Sequence, residues 1–176
     1  MKKKVLSIVA VVLVLCCAIG GTLAWLTDKT DPVVNTFTVG DINIELTESE
    51  NLNLKMVPGN TITKDPKVTV KANSEACWLF VKVEESANFD NFMTYAMADG
   101  WTALPDVAGV YYREVAATTA ATDFSVLQGN SVSVKDTVTK ADLNALTQNT
   151  FPTLTFTAYA VQKDNVADAA TAWGKL

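Results

Sequence analysis

Short runs of alternating apolar and polar residues fill most of the chain after Asp41, and turn signals separate them. Alternation with a period of two is typical of half-buried strands, and an unbroken apolar run is typical of a central strand. The clearest runs are 61–71, interrupted near Pro66, and 76–84, 109–115, 131–135 and 153–162. Seven or more short strands without a βαβ period predict an all-β fold with small helices, an antiparallel β-sandwich.

Three stretches have helical rather than strand-like spacing. Phe89, Phe92, Met93, Ala96 and Met97 predict a short amphipathic helix, with Asn88 or Asp90 as its N-cap. Residues 140–146 predict a single helical turn capped by Thr139, and residues 165–173 predict a terminal helix.

The apolar run at 76–81 carries Cys77 and Trp78, both of which we expect in the core, while Trp101 is expected to plug one end of the sheet. Cys77 is the only cysteine after residue 24, so no internal disulfide is expected there. A small buried side chain is the favoured interpretation of this cysteine, and a reactive or intermolecular thiol is the alternative.

The first 24 residues have the form of a signal peptide. Residues 2–4 are lysines, residues 5–19 are apolar except for Ser7, and Thr22 and Ala24 place small residues before a cut between Ala24 and Trp25. An uncleaved membrane anchor is the alternative, because the apolar stretch can be extended to Leu26. The predicted organisation is a leader at 1–24, an amino-terminal segment at 25–40 and a single β-sandwich domain at 41–176.

The net charge and the absence of histidine exclude several classes of function. The net charge of −5 becomes −8 when the three lysines of the leader leave, since no acidic residue precedes Asp28. An acidic protein without a basic patch argues against nucleic acid as a partner. With no histidine in the chain, the His-Glu-x-x-His zinc site and the Ser-His-Asp triad are excluded. We therefore expect no catalytic residues, no cofactor and no metal site, and the protein is predicted not to be an enzyme.

Three motifs resemble one known family. These are Gly-Gly-Thr-Leu-Ala-Trp-Leu-Thr-Asp at 20–28, Asn-Thr-Phe-Thr-Val-Gly at 35–40, and Pro-Gly-Asn-Thr-Ile-Thr-Lys-Asp at 58–65. They are similar to the TasA and camelysin family of secreted biofilm-matrix fibre proteins of the Gram-positive cell surface. The resemblance implies a jelly-roll fold, a leader cut by a SipW-type signal peptidase, and localisation in the extracellular matrix. Camelysin also gave the family a metallopeptidase label, which the missing histidine opposes.

The same resemblance implies how the protein assembles. In TasA-like fibres the segment just after the cleavage site is a donor strand that passes into the next subunit. The matching residues here are Trp25, Leu26, Val33, Val34, Phe37 and Val39. The implied partners are further copies of the chain in a head-to-tail polymer, the processing peptidase, and an accessory fibre protein. Two alternatives stay open: a segment that folds back or forms a flexible tail, and a non-polymerising surface-binding module or anchoring component.

Overall fold

The computed structural model describes residues 40–49 and 54–176, which form ten strands and three short α-helices. The strands are β1 (Ile44–Thr47), β2 (Thr61–Thr63), β3 (Lys67–Val70), β4 (Cys77–Glu85), β5 (Met93–Thr94), β6 (Thr102–Ala103), β7 (Val110–Val115), β8 (Thr122–Ser125), β9 (Ser131–Val134) and β10 (Leu154–Gln162). The helices are α1 (Phe89–Phe92), α2 (Lys140–Asn144) and α3 (Ala169–Trp173), and a 3-10 turn spans Gln128–Asn130.

All strand pairs in this part of the chain are antiparallel, and they form three sheets. A four-stranded sheet has the order β10-β4-β7-β6, and two three-stranded sheets have the orders β1-β3-β8 and β2-β9-β5. The longest pairing joins β10 to β4, from Leu154 opposite Glu85 to Gln162 opposite Cys77. The prediction of an all-β antiparallel sandwich with small helices is confirmed, whereas the jelly-roll connectivity stays a prediction.

The main core lies between the four-stranded sheet and the sheet β1-β3-β8. Alternation along β4 and β3 turns one face of each strand inward, and the fully buried residues there are Val68, Val70, Cys77, Leu79 and Val81. Cys77 has no accessible surface, and burial raises the pKa of its thiol to about 11. The expectation of a small buried side chain is therefore confirmed, because a neutral thiol in an apolar core is unreactive.

The opposite face of the four-stranded sheet carries a second core beneath the carboxyl-terminal helix. Phe80 is fully buried there, and its ring centroid lies 5.3 Å from that of Trp173 on α3. Trp78 lies on this same face and is only half-buried, with its indole N–H donating to the carbonyl of Val166. Trp78 therefore packs against the second core instead of the main one, and its expected place in a core is confirmed only in part, since its side chain is half-buried.

Sheet β2-β9-β5 has its own core, which includes Ile62, Phe89, Met93, Leu127 and Val132. The predicted helix over 89–97 is shorter than expected, since α1 ends at Phe92 and Met93 begins β5. The carbonyl of Phe92 accepts from the N–H of Lys135, and Met93 pairs with Val134. No side chain caps the start of α1. With no cap to stabilise the helix, the pairing of Met93 with β9 prevails over a longer helix.

Candidate functional site

Strand β10 is an edge strand whose sequence has no charge or proline to prevent another strand from pairing with it. Its nine residues, Leu-Thr-Phe-Thr-Ala-Tyr-Ala-Val-Gln, include no charge and no proline. It pairs with β4 on one side, and no described strand pairs with its other edge. Natural sheets protect their edges with charges, prolines, bulges or very short strands. A long, uncharged edge of this kind is a ready site for the addition of another strand.

The hydrogen bonds between β10 and β4 show which backbone N–H and C=O groups of β10 face its free edge. The carbonyl of Thr153 accepts from Ser86, and the N–H of Lys163 donates to the carbonyl of Ala76. In an antiparallel pair each residue directs its N–H and C=O to the same side, and successive residues alternate. The odd-numbered residues of β10 therefore bond to β4. The N–H and C=O groups on the free edge are those of Leu154, Phe156, Ala158, Ala160 and Gln162.

Apolar side chains along the same side of the sandwich are incompletely covered. Strand β1 is the edge of its own sheet and lies against β10. Ile42 and the β1 residues Ile44 and Leu46 pack against the main core but are only half-buried. The same holds for four residues of β10: Leu154, Phe156, Ala158 and Ala160. An added strand would cover apolar surface here as well as form backbone hydrogen bonds.

An apolar groove of about 610 Å³ opens at the amino-terminal end of β10. Two of its wall residues are unusually exposed for their type, with Leu54 at 55% and Phe151 at 48% of their surface accessible. Together with Met56, Ile62, Leu143 and Leu154, these residues define what we call the apolar groove. Its volume falls in the range of pockets that bind ligands or anchoring side chains.

Polar contacts fix the chain beside this groove. Lys64 forms an ion pair with Glu48 at 2.9 Å, and its ammonium lies 5.5 Å from the centroid of the Phe156 ring. Ser49 donates to Asp65 from both its backbone N–H, at 3.1 Å, and its hydroxyl, at 2.5 Å. These two bonds lower the pKa of the Asp65 carboxyl below its ordinary value. They tie the end of the β1 region to the junction of β2 and β3.

Helix α2 supplies Leu143 to the groove, and its start follows from local sequence. The Thr139 hydroxyl accepts from the backbone N–H of Asp142, and the Asp142 carboxylate accepts from the Thr139 N–H at 2.8 Å. This capping box satisfies N–H groups at the helix start that would otherwise lack partners. The predicted cap at Thr139 is confirmed, and it helps to fix one wall of the groove.

The residues predicted to act in assembly lie outside the described part of the chain. These are the cleavage pair Ala24 and Trp25 and the donor residues Leu26, Val33, Val34, Phe37 and Val39. Sequence reasoning did not find two features of the structure, the free edge of β10 and the apolar groove. The uncharged composition of residues 154–162 was a usable signal for the free edge. The groove combines residues that lie far apart in the chain, so it gives no local signal.

The donor atoms of the described residues do not fit a catalytic zinc site. No group of three or more histidine, cysteine, aspartate or glutamate side chains converges in residues 40–49 and 54–176. The whole chain lacks histidine, and the thiol of Cys77 is buried and protonated at neutral pH. Zinc peptidases hold their metal through histidine and carboxylate ligands, and residues 40–49 and 54–176 do not bring such a set of ligands together.

Among the described helices, none has both the length and the apolar character needed to cross a membrane. The sequence profile of one family, described as camelysin metallo-endopeptidase, matches residues 1–83. No curated protein and no solved structure matches the chain. The matched family is one of secreted and cell-surface proteins, which agrees with the coarse expectation for localisation. The predicted resemblance is therefore confirmed over residues 1–83, which match the camelysin family, the family that includes TasA.

Proposed function

We propose that this protein is a secreted structural subunit that polymerises head-to-tail into extracellular matrix fibres. In this proposal a SipW-type peptidase removes residues 1–24, and the new amino-terminal segment of one copy adds as a strand to the next copy. The observation that carries the proposal is the free edge of β10, which is nine residues long and uncharged and lies beside half-buried apolar side chains.

The sequence of the amino-terminal segment suits this edge. Val33, Phe37 and Val39 lie at odd positions and share one face of an extended chain, together with the polar residue Asn35. In strand addition, main-chain hydrogen bonds supply affinity and alternate side chains supply specificity by filling apolar sites. The half-buried residues of β1 and β10 offer such sites.

The proposed contact explains why a filament is the expected product. The donor segment and the acceptor edge are different surfaces of one chain, so the contact is heterologous. A heterologous contact that does not close into a ring generates an open filament. The proposed role needs no catalytic residue, and an accessory or anchoring protein could use the same edge at a fibre end.

The proposal is tested by electron microscopy and size measurement of two purified proteins, one starting at Trp25 and one starting at Asp41. Fibres are expected from the first and monomers from the second, because only the first carries a donor strand. Circular dichroism of both confirms that the shorter protein keeps its sheets. If both proteins stay folded and monomeric across salt and pH, strand donation fails for this chain, and the surface-binding module becomes the better hypothesis.

A further inference from the structure

The apolar groove and the free edge of β10 form one continuous surface, and Leu154 belongs to both. As the first residue of β10, Leu154 directs its backbone groups to the free edge. Its side chain lines the groove with Leu54 and Phe151. A strand that follows the edge of β10 past Leu154 therefore enters the groove directly.

We infer that the groove holds Trp25 and Leu26 of the neighbouring copy, so that each contact along the fibre has two parts. This inference rests on the proposed function. The first part is the strand pairing of residues 33–39 with β10, and the second is an apolar anchor eight residues further upstream. The anchor site takes Trp25 and Leu26 of a second copy and adjoins the strand edge at Leu154.

Chain length permits both parts at once. Residues 33–39 span the same number of residues as 154–160, about 20 Å at 3.3 Å per residue. With Val33 beside Leu154 and Val39 beside Ala160, the incoming strand runs parallel to β10. The eight residues from Val33 back to Trp25 then reach at most about 29 Å when extended. This is ample to bring Trp25 and Leu26 into a groove that begins at Leu154.

The chemistry of the groove matches such an anchor. Trp and Leu at a new amino terminus are costly to leave in water, and the walls at Leu54 and Phe151 expose about half of their own surface. Tryptophan is enriched among the few side chains that dominate binding energy at interfaces, where it sits in desolvated pockets. Filling the groove removes both sets of apolar surface from water.

The test is a disulfide link between two different variants of the protein starting at Trp25. One variant carries Leu26→Cys, and the other carries Leu54→Cys and a mass tag. A link between variants must join two chains, and native Cys77 does not interfere because it is buried. The control replaces Leu54→Cys with Leu176→Cys, since Leu176 is exposed to a similar extent, 58% against 55%, and does not line the groove.

Mild oxidation of the assembled mixture is expected to give tagged heterodimers with Leu54→Cys and few with Leu176→Cys, because a disulfide requires Cα atoms within about 7 Å. Fibres that form without a link above the control would overturn the anchor but leave strand donation standing. A chain with both Leu26→Cys and Leu54→Cys that links internally as a dilute monomer would also overturn it. Absence of fibres from the unmodified protein contradicts the proposed function itself.

A second measurement uses substitutions that prevent binding in the groove, whereas the disulfide link detects it. Leu54→Asp is expected to weaken assembly by at least about tenfold, as loss of an interface anchor does, whereas Leu176→Asp leaves assembly near that of the unmodified protein. Trp25→Ala should match the effect of Leu54→Asp. Equal assembly by all of these variants would overturn the inference.

Discussion

At the scale of single residues, two glycines with nearly the same backbone conformation have different reasons to be glycine. Gly109 has φ of 72° and Gly59 has φ of 71°, both in the left-handed region. A Cβ at Gly109 would lie 2.5 Å from the carbonyl oxygen of Val83, and a Cβ at Gly59 would meet nothing closer than 4.0 Å. The N–H of Val83 also donates to the carbonyl of Gly109, at 2.7 Å, so neither backbone can shift freely.

Gly109→Ala should therefore destabilise the protein more than Gly59→Ala. The left-handed conformation alone costs a residue with a Cβ about 1–2 kcal/mol, which is the expected effect at Gly59. At Gly109 the collision with Val83 adds to this, and we expect a total above about 2 kcal/mol. Urea unfolding of both variants measures the difference. Equal destabilisation would show that the β4–β7 region relaxes around the added methyl group.

At the scale of elements, the two edges of β10 should have different roles: the edge that bonds to β4 holds the sheet together, and the free edge is the proposed site of assembly. The N–H of Ala158 points to the free edge, so its removal breaks no hydrogen bond to β4. Proline is tolerated at edge positions whose N–H faces away from the sheet. Ala158→Pro should thus keep the fold but prevent strand addition.

The measurement compares Ala158→Pro with Ala158→Ser, both in the protein starting at Trp25. The serine variant keeps the backbone N–H and should still form fibres, while the proline variant should remain a folded monomer by circular dichroism and sizing. Thr157→Pro serves as the opposite control, because its N–H bonds to β4 and its loss should destabilise the sheet. Fibre formation by Ala158→Pro would place the acceptor edge elsewhere.

Some strands could be predicted from the sequence and others could not. Strands β3, β4, β7, β9 and β10 follow from alternation or apolar runs, and the structure confirms them. Strand β8 was missed because its four residues, Thr-Asp-Phe-Ser, are too short for a pattern and pair only through β3. The spacing of phenylalanine and methionine predicts a helix where β5 lies, because both residue types suit either structure, and contact with β9 decides between them.

The candidate site was harder to predict than the strands. Alternation along 153–162 shows that a strand exists but cannot show whether one or both of its edges are paired. The groove joins Leu54, Leu143 and Leu154, which are separated by up to a hundred residues and meet only through the packing of the sheets. The resemblance implies a donor segment, whereas the free edge of β10 and the apolar groove, which we propose as its acceptor, are visible only in the structure.

At the scale of the whole molecule, the proposed assembly would have to bring together subunits that repel one another. The chain without its first 24 residues has a formal charge of −8, from the full value of −5 and the loss of three lysines. The proposed contacts are apolar side chains and backbone hydrogen bonds, which salt screens little. The repulsion between subunits is screened, because the Debye length falls from about 30 Å at 0.01 M to about 8 Å at 0.15 M salt.

Added sodium chloride should therefore lower the concentration at which the protein starting at Trp25 forms fibres. Light scattering or sedimentation at several salt concentrations measures this threshold, and the Ala158→Pro variant controls for salt-induced aggregation that does not use the strand edge. Lowering the pH toward the isoelectric point, near 4.7 for the full sequence, should act in the same direction by reducing the net charge. If salt instead raises the threshold, attraction between opposite charges dominates the contact. The uncharged edge of β10 and the apolar groove would then not be the surfaces that hold the subunits together.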